Sequence, residues 1–233
     1  LDPHSIIVYT FLEWHSIIVK KDDSMFKTRL IYSELSQQKD NGKITILLGA
    51  RQVGKTTLLR RLHAALKESH PCLFLDLDIY SHYEQVSTYE NIVNTLKLNG
   101  YDTGKGGLFI LFLDEFQRYA DISRALKVIC DHHPDVKIYA SGSSSLAINE
   151  QIQESLAGRK RILRIYPLNF REYLHFIGRD DLIQRIENLP NVTSDNLPGL
   201  MPDAYRELDR FLIYGAYPEV SLTPDREKRD VLA

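Results

Sequence analysis

The stretch that most limits what this chain can fold into is Gly49-Ala50-Arg51-Gln52-Val53-Gly54-Lys55-Thr56-Thr57. It fits G-x-x-x-x-G-K-[ST]. Before it, Ile44-Thr45-Ile46-Leu47-Leu48 is an apolar, β-branched run that reads as a buried strand. After it, Leu58, Leu59, Leu62, Ala65 and Leu66 recur at helical spacing. Strand, glycine-rich turn and helix is the context of a phosphate-binding P-loop, and a chance turn with a basic residue would lack both flanks. The glycines let backbone N–H groups curl around a phosphate, and the helix that follows adds free N–H donors and the positive end of its dipole. Lys55 is expected to reach the β- and γ-phosphates of a nucleotide. The Thr56 hydroxyl is expected to ligate Mg²⁺. All nine residues are candidate nucleotide contacts.

The periodicity around this loop alternates between strand and helix. A helix is expected over 25–37, where Phe26, Leu30, Ile31 and Leu35 share a face. Strands follow at 44–48, 72–78, 108–113, 136–140 and 161–166. Helices are expected at 55–68, through Val86, Tyr89, Ile92, Val93 and Leu96, from 122 with Asp121 as N-cap, and through Leu146, Ile148, Ile152 and Leu156. This is the pattern of a doubly wound α/β sheet. After Pro167 the chain reads as helical, opening with a capping box at Asn169-Phe170-Arg171-Glu172. The expected division is an uncertain N-terminal extension over 1–24, a P-loop core over 25–166 and a helical region over 167–233.

With 233 residues there is chain enough for one sizeable core and an appendage. Hydrophobic content of 43%, charged content of 26% and a net charge of -2 suit a soluble protein. They neither support nor exclude nucleic acid as a partner. The two cysteines, Cys72 and Cys130, have no metal-ligand spacing and read as buried thiols of a cytoplasmic protein. No run reaches the ~18 apolar residues of a spanning helix, so no membrane partner is expected. Asp76 and Asp78 read as polar loop entries rather than a metal pair. Residues 100–107 contain a Gly-Lys pair without the P-loop spacing and read as a flexible surface loop.

The apolar run Leu108–Leu113 ends in Asp114-Glu115. In a P-loop fold a carboxylate there holds the Mg²⁺ shell. An adjacent glutamate can polarise the water that attacks the γ-phosphate. Asp114 is therefore the candidate metal residue and Glu115 the candidate catalytic base. The fourth strand ends in Ser141-Gly142-Ser143-Ser144-Ser145. Ser143 or Ser144 would lie beside the γ-phosphate if that strand runs between the two motif-bearing strands; a serine N-cap for the next helix is a compatible alternative. Arg159 is a candidate for meeting transition-state charge, within its own chain or across an interface. Its alternative is a basic helix end that complements the dipole.

With those residues in place the chain resembles a prokaryotic family of AAA-type ATPases, whose members usually join an ATPase core to a C-terminal domain of unknown function. The resemblance runs over roughly 25–220. It is carried by Gly49 to Leu59, Leu113-Asp114-Glu115-Phe116-Gln117, Ser141 to Ser145, Leu156-Ala157-Gly158-Arg159, Tyr166 to Tyr173 and Gly215-Ala216-Tyr217-Pro218-Glu219. It implies a five-stranded parallel sheet of order 5-1-4-3-2 followed by a helical region, and ATP rather than GTP. It also implies that Met25 is the natural start and that the C-terminal domain is mostly missing. The expected activity is Mg²⁺-dependent hydrolysis of ATP to ADP and phosphate, coupled to an unidentified conformational or regulatory output, with a homo-oligomer or a protein as the expected partner besides the nucleotide. A slowly hydrolysing nucleotide switch and a P-loop kinase are the alternatives, and Glu115 argues against the kinase.

Overall fold

The computed structural model describes residues 27–102, 104, 106–119, 122–143, 156–189, 199, 201–228 and 231. The expectations placed on residues 1–26, Asp121 and 144–155 lie outside them.

The first helix among the described residues, α1 (Ile31–Ser36), runs into a 3-10 turn and then into β1 (Ile44–Gly49), whose six residues are all buried. The loop Ala50–Gly54 leads to α2 (Lys55–Leu66), followed by β2 (Cys72–Asp76). Two helices, α3 (Tyr80–Glu84) and α4 (Tyr89–Leu98), precede β3 (Phe109–Asp114), every residue of which is buried. Then come α5 (Ile122–His132), β4 (Val136–Ser143) and β5 (Lys160–Ile165).

The five strands form one sheet of order β2-β3-β4-β1-β5, with every pairing parallel. Continuous apolar runs such as Phe109–Leu113 belong in such a sheet, because helices cover both faces. On one face Ile44, Ile46, Leu48, Leu111 and Leu113 pack with Ile92, Leu126 and Ile129 of α4 and α5. On the other, Leu47, Ile110, Phe112 and Tyr139 pack with Leu35, Leu58, Leu59 and Leu62 of α1 and α2.

Beyond β5 the chain is helical in the described residues: α6 (Phe170–Phe176), α7 (Asp180–Glu187), α8 (Pro202–Tyr214) and α9 (Pro218–Leu222). These helices have their own core of Leu168, Tyr173, Leu174, Phe176, Leu182, Met201 and Ala204. The Asn169 capping box is formed on both sides: its side chain accepts from the Glu172 N–H at 2.8 Å, and Glu172 Oε2 accepts from the Asn169 N–H at 3.3 Å.

Some boundaries depart from the periodicity. Of the expected helix over 25–37, described residues 27–30 are not helical and α1 begins at Ile31; the Leu30 N–H, free of any ladder at this end, donates to Glu172 Oε1 at 2.9 Å. The second strand stops at Asp76, and the Asp78 N–H folds back onto Asp76 Oδ1 at 3.0 Å. Helix α3 has no buried residue, so it leaves no apolar face for periodicity to detect.

Candidate functional site

In a parallel sheet all strand C-termini meet at one edge. Here Gly49 of β1 stands opposite Ser143 of β4 and Ile165 of β5, while Asp76 of β2 stands opposite Asp114 of β3. The P-loop and the Asp-Glu pair are thereby brought to one end of the molecule. β4 lies between the two motif strands, as the Ser143 reading required.

The P-loop backbone takes the shape its sequence permits. Gln52 has φ 64° and Gly54 has φ 92°, both left-handed. Gly49 is needed for close approach: a Cβ there would come within 2.2 Å of the Ile165 carbonyl oxygen. Lys55 is buried, and its ammonium donates to the Gly49 and Ala50 carbonyls at 3.1 and 2.7 Å, so it lies along the inside of the loop. Burial pushes its pKa below the ordinary lysine range, partly offset by the Glu115 and Asp114 carboxylates. Arg51, Gln52, Gly54, Lys55, Thr56 and Thr57 line a cleft of about 1190 Å³ with Glu115 and Gln117. Arg51 is exposed at its rim.

Asp114 is 2% exposed. Its carboxylate accepts from the Ser141 hydroxyl, and Ser141 Oγ in turn accepts from the Glu115 N–H at 3.2 Å. One buried hydroxyl on β4 therefore holds the Asp114 carboxylate at the end of β3 and the backbone of Glu115 that follows it. Glu115 follows in the left-handed region, φ 54°, which is uncommon for a residue with a side chain and is stored most often at functional sites. Phe116 anchors that turn in the core at 2% exposure. The Gln117 side chain donates to Glu115 Oε2, and its own carbonyl oxygen is buried without a hydrogen-bond partner among the described residues.

Arg159 is not at this edge. Its carbonyl accepts from the Ile44 N–H, at the start of β1. Five strand steps of ~3.3 Å separate Ile44 from Gly49, so Arg159 lies ~16 Å along the sheet from the P-loop. Its guanidinium donates to Asp131 at 2.6 Å, which raises the arginine pKa and lowers that of the carboxylate. This corrects the reading of Arg159 as a phosphate contact within its own chain.

Sequence reasoning missed three contributors: Ser141, Gln117 and Arg29. Ser141 and Gln117 belong to stretches already singled out, but their roles depend on cross-strand register. Arg29 is buried beneath the P-loop, where it donates to the Val53 carbonyl at 2.9 Å. Asp78 pairs with Arg118. Among the described residues no group of three or more His, Cys, Asp or Glu could hold a metal ion. Thr56 and Asp114 offer one hydroxyl and one carboxylate. That oxygen donor set suits Mg²⁺, which keeps water and phosphate ligands, better than an all-protein cage would. No helix among the described residues is long and apolar enough to cross a membrane.

Comparison with known proteins gives a consistent picture. A family model described as an AAA domain matches residues 41–174, more than half of the chain. An uncharacterized protein of Methanocaldococcus jannaschii is 27% identical over 217 residues, covering 88% of this chain and 43% of its own length. One of Haemophilus influenzae is 24% identical over 207 residues, covering 86% and 46%. The chain thus spans less than half the length of these relatives. Among solved structures, S. cerevisiae Hsp104 in its extended casein complex superposes with a TM-score of 0.50 at 14% identity, over 82% of this chain and 35% of that one. The likeness is one of fold: a P-loop nucleotide-binding sheet of AAA type.

Proposed function

The chain belongs to the AAA domain family, and on that premise we propose that it is a Mg²⁺-dependent ATPase, cleaving ATP to ADP and phosphate. The observation that carries this is the placing of Glu115. It directly follows a buried Asp114 held by Ser141, and it lines the same cleft as Lys55 and Thr56.

The roles follow from the groups available. The amides around Gly54 and the start of α2 receive the phosphates, and Lys55 leaves its two carbonyl partners to meet the β- and γ-phosphate oxygens. Thr56 and Asp114 would hold Mg²⁺. When bound, that ion neutralises charge on the phosphates. Glu115 orients a water against the γ-phosphorus and takes its proton as the new P–O bond forms, while the bond to the ADP oxygen breaks. Ser143 would orient that water or the γ-phosphate, a role supported by its register opposite Gly49. Arg159 could serve only the site of a neighbouring copy, which makes a homo-oligomer part of the proposal.

One observation favours a second reading. The Gln117 amide occupies Glu115 Oε2, a restraint suited to a nucleotide switch that hydrolyses slowly until a protein or nucleic-acid partner releases the carboxylate. Phosphate release measured with and without Mg²⁺, in wild type and K55A, tests the proposal. We expect turnover that needs Mg²⁺ and is lost in K55A. Equal phosphate release from both proteins would overturn it, and turnover far below ~1 per second with tightly held ADP would favour the switch.

A further inference from the structure

We infer that Arg29 is a positioning residue for the P-loop, and that it ties the helical region after β5 to nucleotide affinity. The inference rests on the nucleotide-binding reading above.

Arg29 and Glu172 are each buried to about the same degree, 6% exposed, and lie 143 positions apart. The guanidinium spends its donors on three separate segments. Nε donates to Glu172 Oε1 of α6 at 2.8 Å, Nη1 to the Val53 carbonyl of the P-loop at 2.9 Å, and Nη2 to the Tyr166 carbonyl at the exit of β5 at 2.9 Å. Glu172 is equally engaged: Oε1 also accepts from the Leu30 N–H, and Oε2 from the Asn169 N–H. A buried ion pair with this many satisfied contacts specifies a geometry more than it adds stability.

The geometry it specifies is that of the Val53–Gly54 peptide. A trans peptide is planar, with its C=O and N–H pointing in opposite directions. Holding the Val53 oxygen on Arg29 therefore fixes the Gly54 N–H to face away from Arg29. Gly54, at φ 92°, has no Cβ to resist a flip of that peptide, so the restraint must come from outside the loop. The same glycine meets the helical region a second time: a Cβ on Gly54 would lie 3.8 Å from Pro218 and 4.0 Å from Arg29 Nη1. Arg29, Gly54 and Pro218 all line the cleft. A displacement of α6 or α9 would thus be felt at one peptide of the loop.

The test is binding of a fluorescent ADP and of ATP to the full chain, alongside its thermal midpoint. The double variant Arg29→Met with Glu172→Leu removes both charges together, so no uncompensated ion is buried. We expect it to lower the midpoint, because the Val53 and Tyr166 carbonyls and the Leu30 and Asn169 N–H groups lose their partners, yet to stay folded at the assay temperature while binding ADP ~10-fold or more weakly, with Arg29→Lys falling between it and wild type. Native affinity in the folded double variant would overturn the inference, as would a loss that merely tracks the unfolded fraction. Should the double variant not fold, unchanged affinity in Arg29→Lys overturns it equally. A wild-type chain that binds neither nucleotide, indistinguishable from K55A, would instead defeat the nucleotide-binding reading itself.

Discussion

At the residue scale the site depends on a few side chains and their partners. Ser141 is fully buried and serves Asp114 and Glu115 at once. Ser141→Ala should cost about 1–3 kcal/mol of stability, because a buried carboxylate and a backbone N–H both lose their partner. It should also slow ATP turnover with little change in ATP affinity. Denaturant titration and phosphate release check this, and a variant native in both would contradict it. Arg159→Ala should leave ATP affinity of the dilute chain within about twofold, since its guanidinium faces Asp131 at the opposite edge of the sheet. Isothermal titration would expose a direct phosphate contact as a large loss. The shared edge of Lys55, Thr56, Asp114 and Glu115 was legible because each sits at a short, fixed spacing from the end of a strand. For Arg159 the sequence left both an own-chain and an across-interface role open, because its distance from the P-loop depends on the pairing of its segment with the start of β1. Arg29 was invisible because its partner lies 143 positions away.

At the element scale β4 joins the two ends of the sheet. At its exit, a Cβ on Gly142 would lie 2.9 Å from Gln117 Oε1 and 3.1 Å from Phe116 Cε1. Gly142→Ala should therefore displace the turn that carries Glu115 and lower turnover more than it lowers ATP affinity; equal effects on both would argue against this. At its entry Lys137, 2% exposed, donates to the Asn41 carbonyl and side-chain oxygens, the Lys43 carbonyl and Thr45 Oγ1. Burial lowers its pKa from 10.5 to about 8. The unfolded chain then holds the extra proton between those two values, so this residue makes stability rise with pH from about 8 toward 10.5 and contributes no slope below 8. Relative to Lys137→Met, wild type should gain on the order of 2–3 kcal/mol across that window. Parallel pH profiles for the two proteins would refute it. Most strands and helices were readable from periodicity, because each buries a regular face. Short α3 was not, because it buries none.

At the scale of the whole molecule, strand order could be anticipated only through the family resemblance. Periodicity shows that strands exist, not which of them are neighbours. The observed order β2-β3-β4-β1-β5 is the one that places β4 between the P-loop strand and the Asp-Glu strand, and so assembles the cleft. The helical region has a separate core yet reaches the P-loop through Glu172 and Pro218. This contact between the two parts could not be read from either stretch alone. The central claim is that this cleft hydrolyses ATP with Glu115 as the base. The most direct measurement pairs ATP affinity with phosphate release in Glu115→Gln, which keeps the shape and the hydrogen bonds but cannot take the proton. The account predicts ATP binding close to wild type and phosphate release lowered by ~100-fold or more; release at the wild-type rate would contradict it.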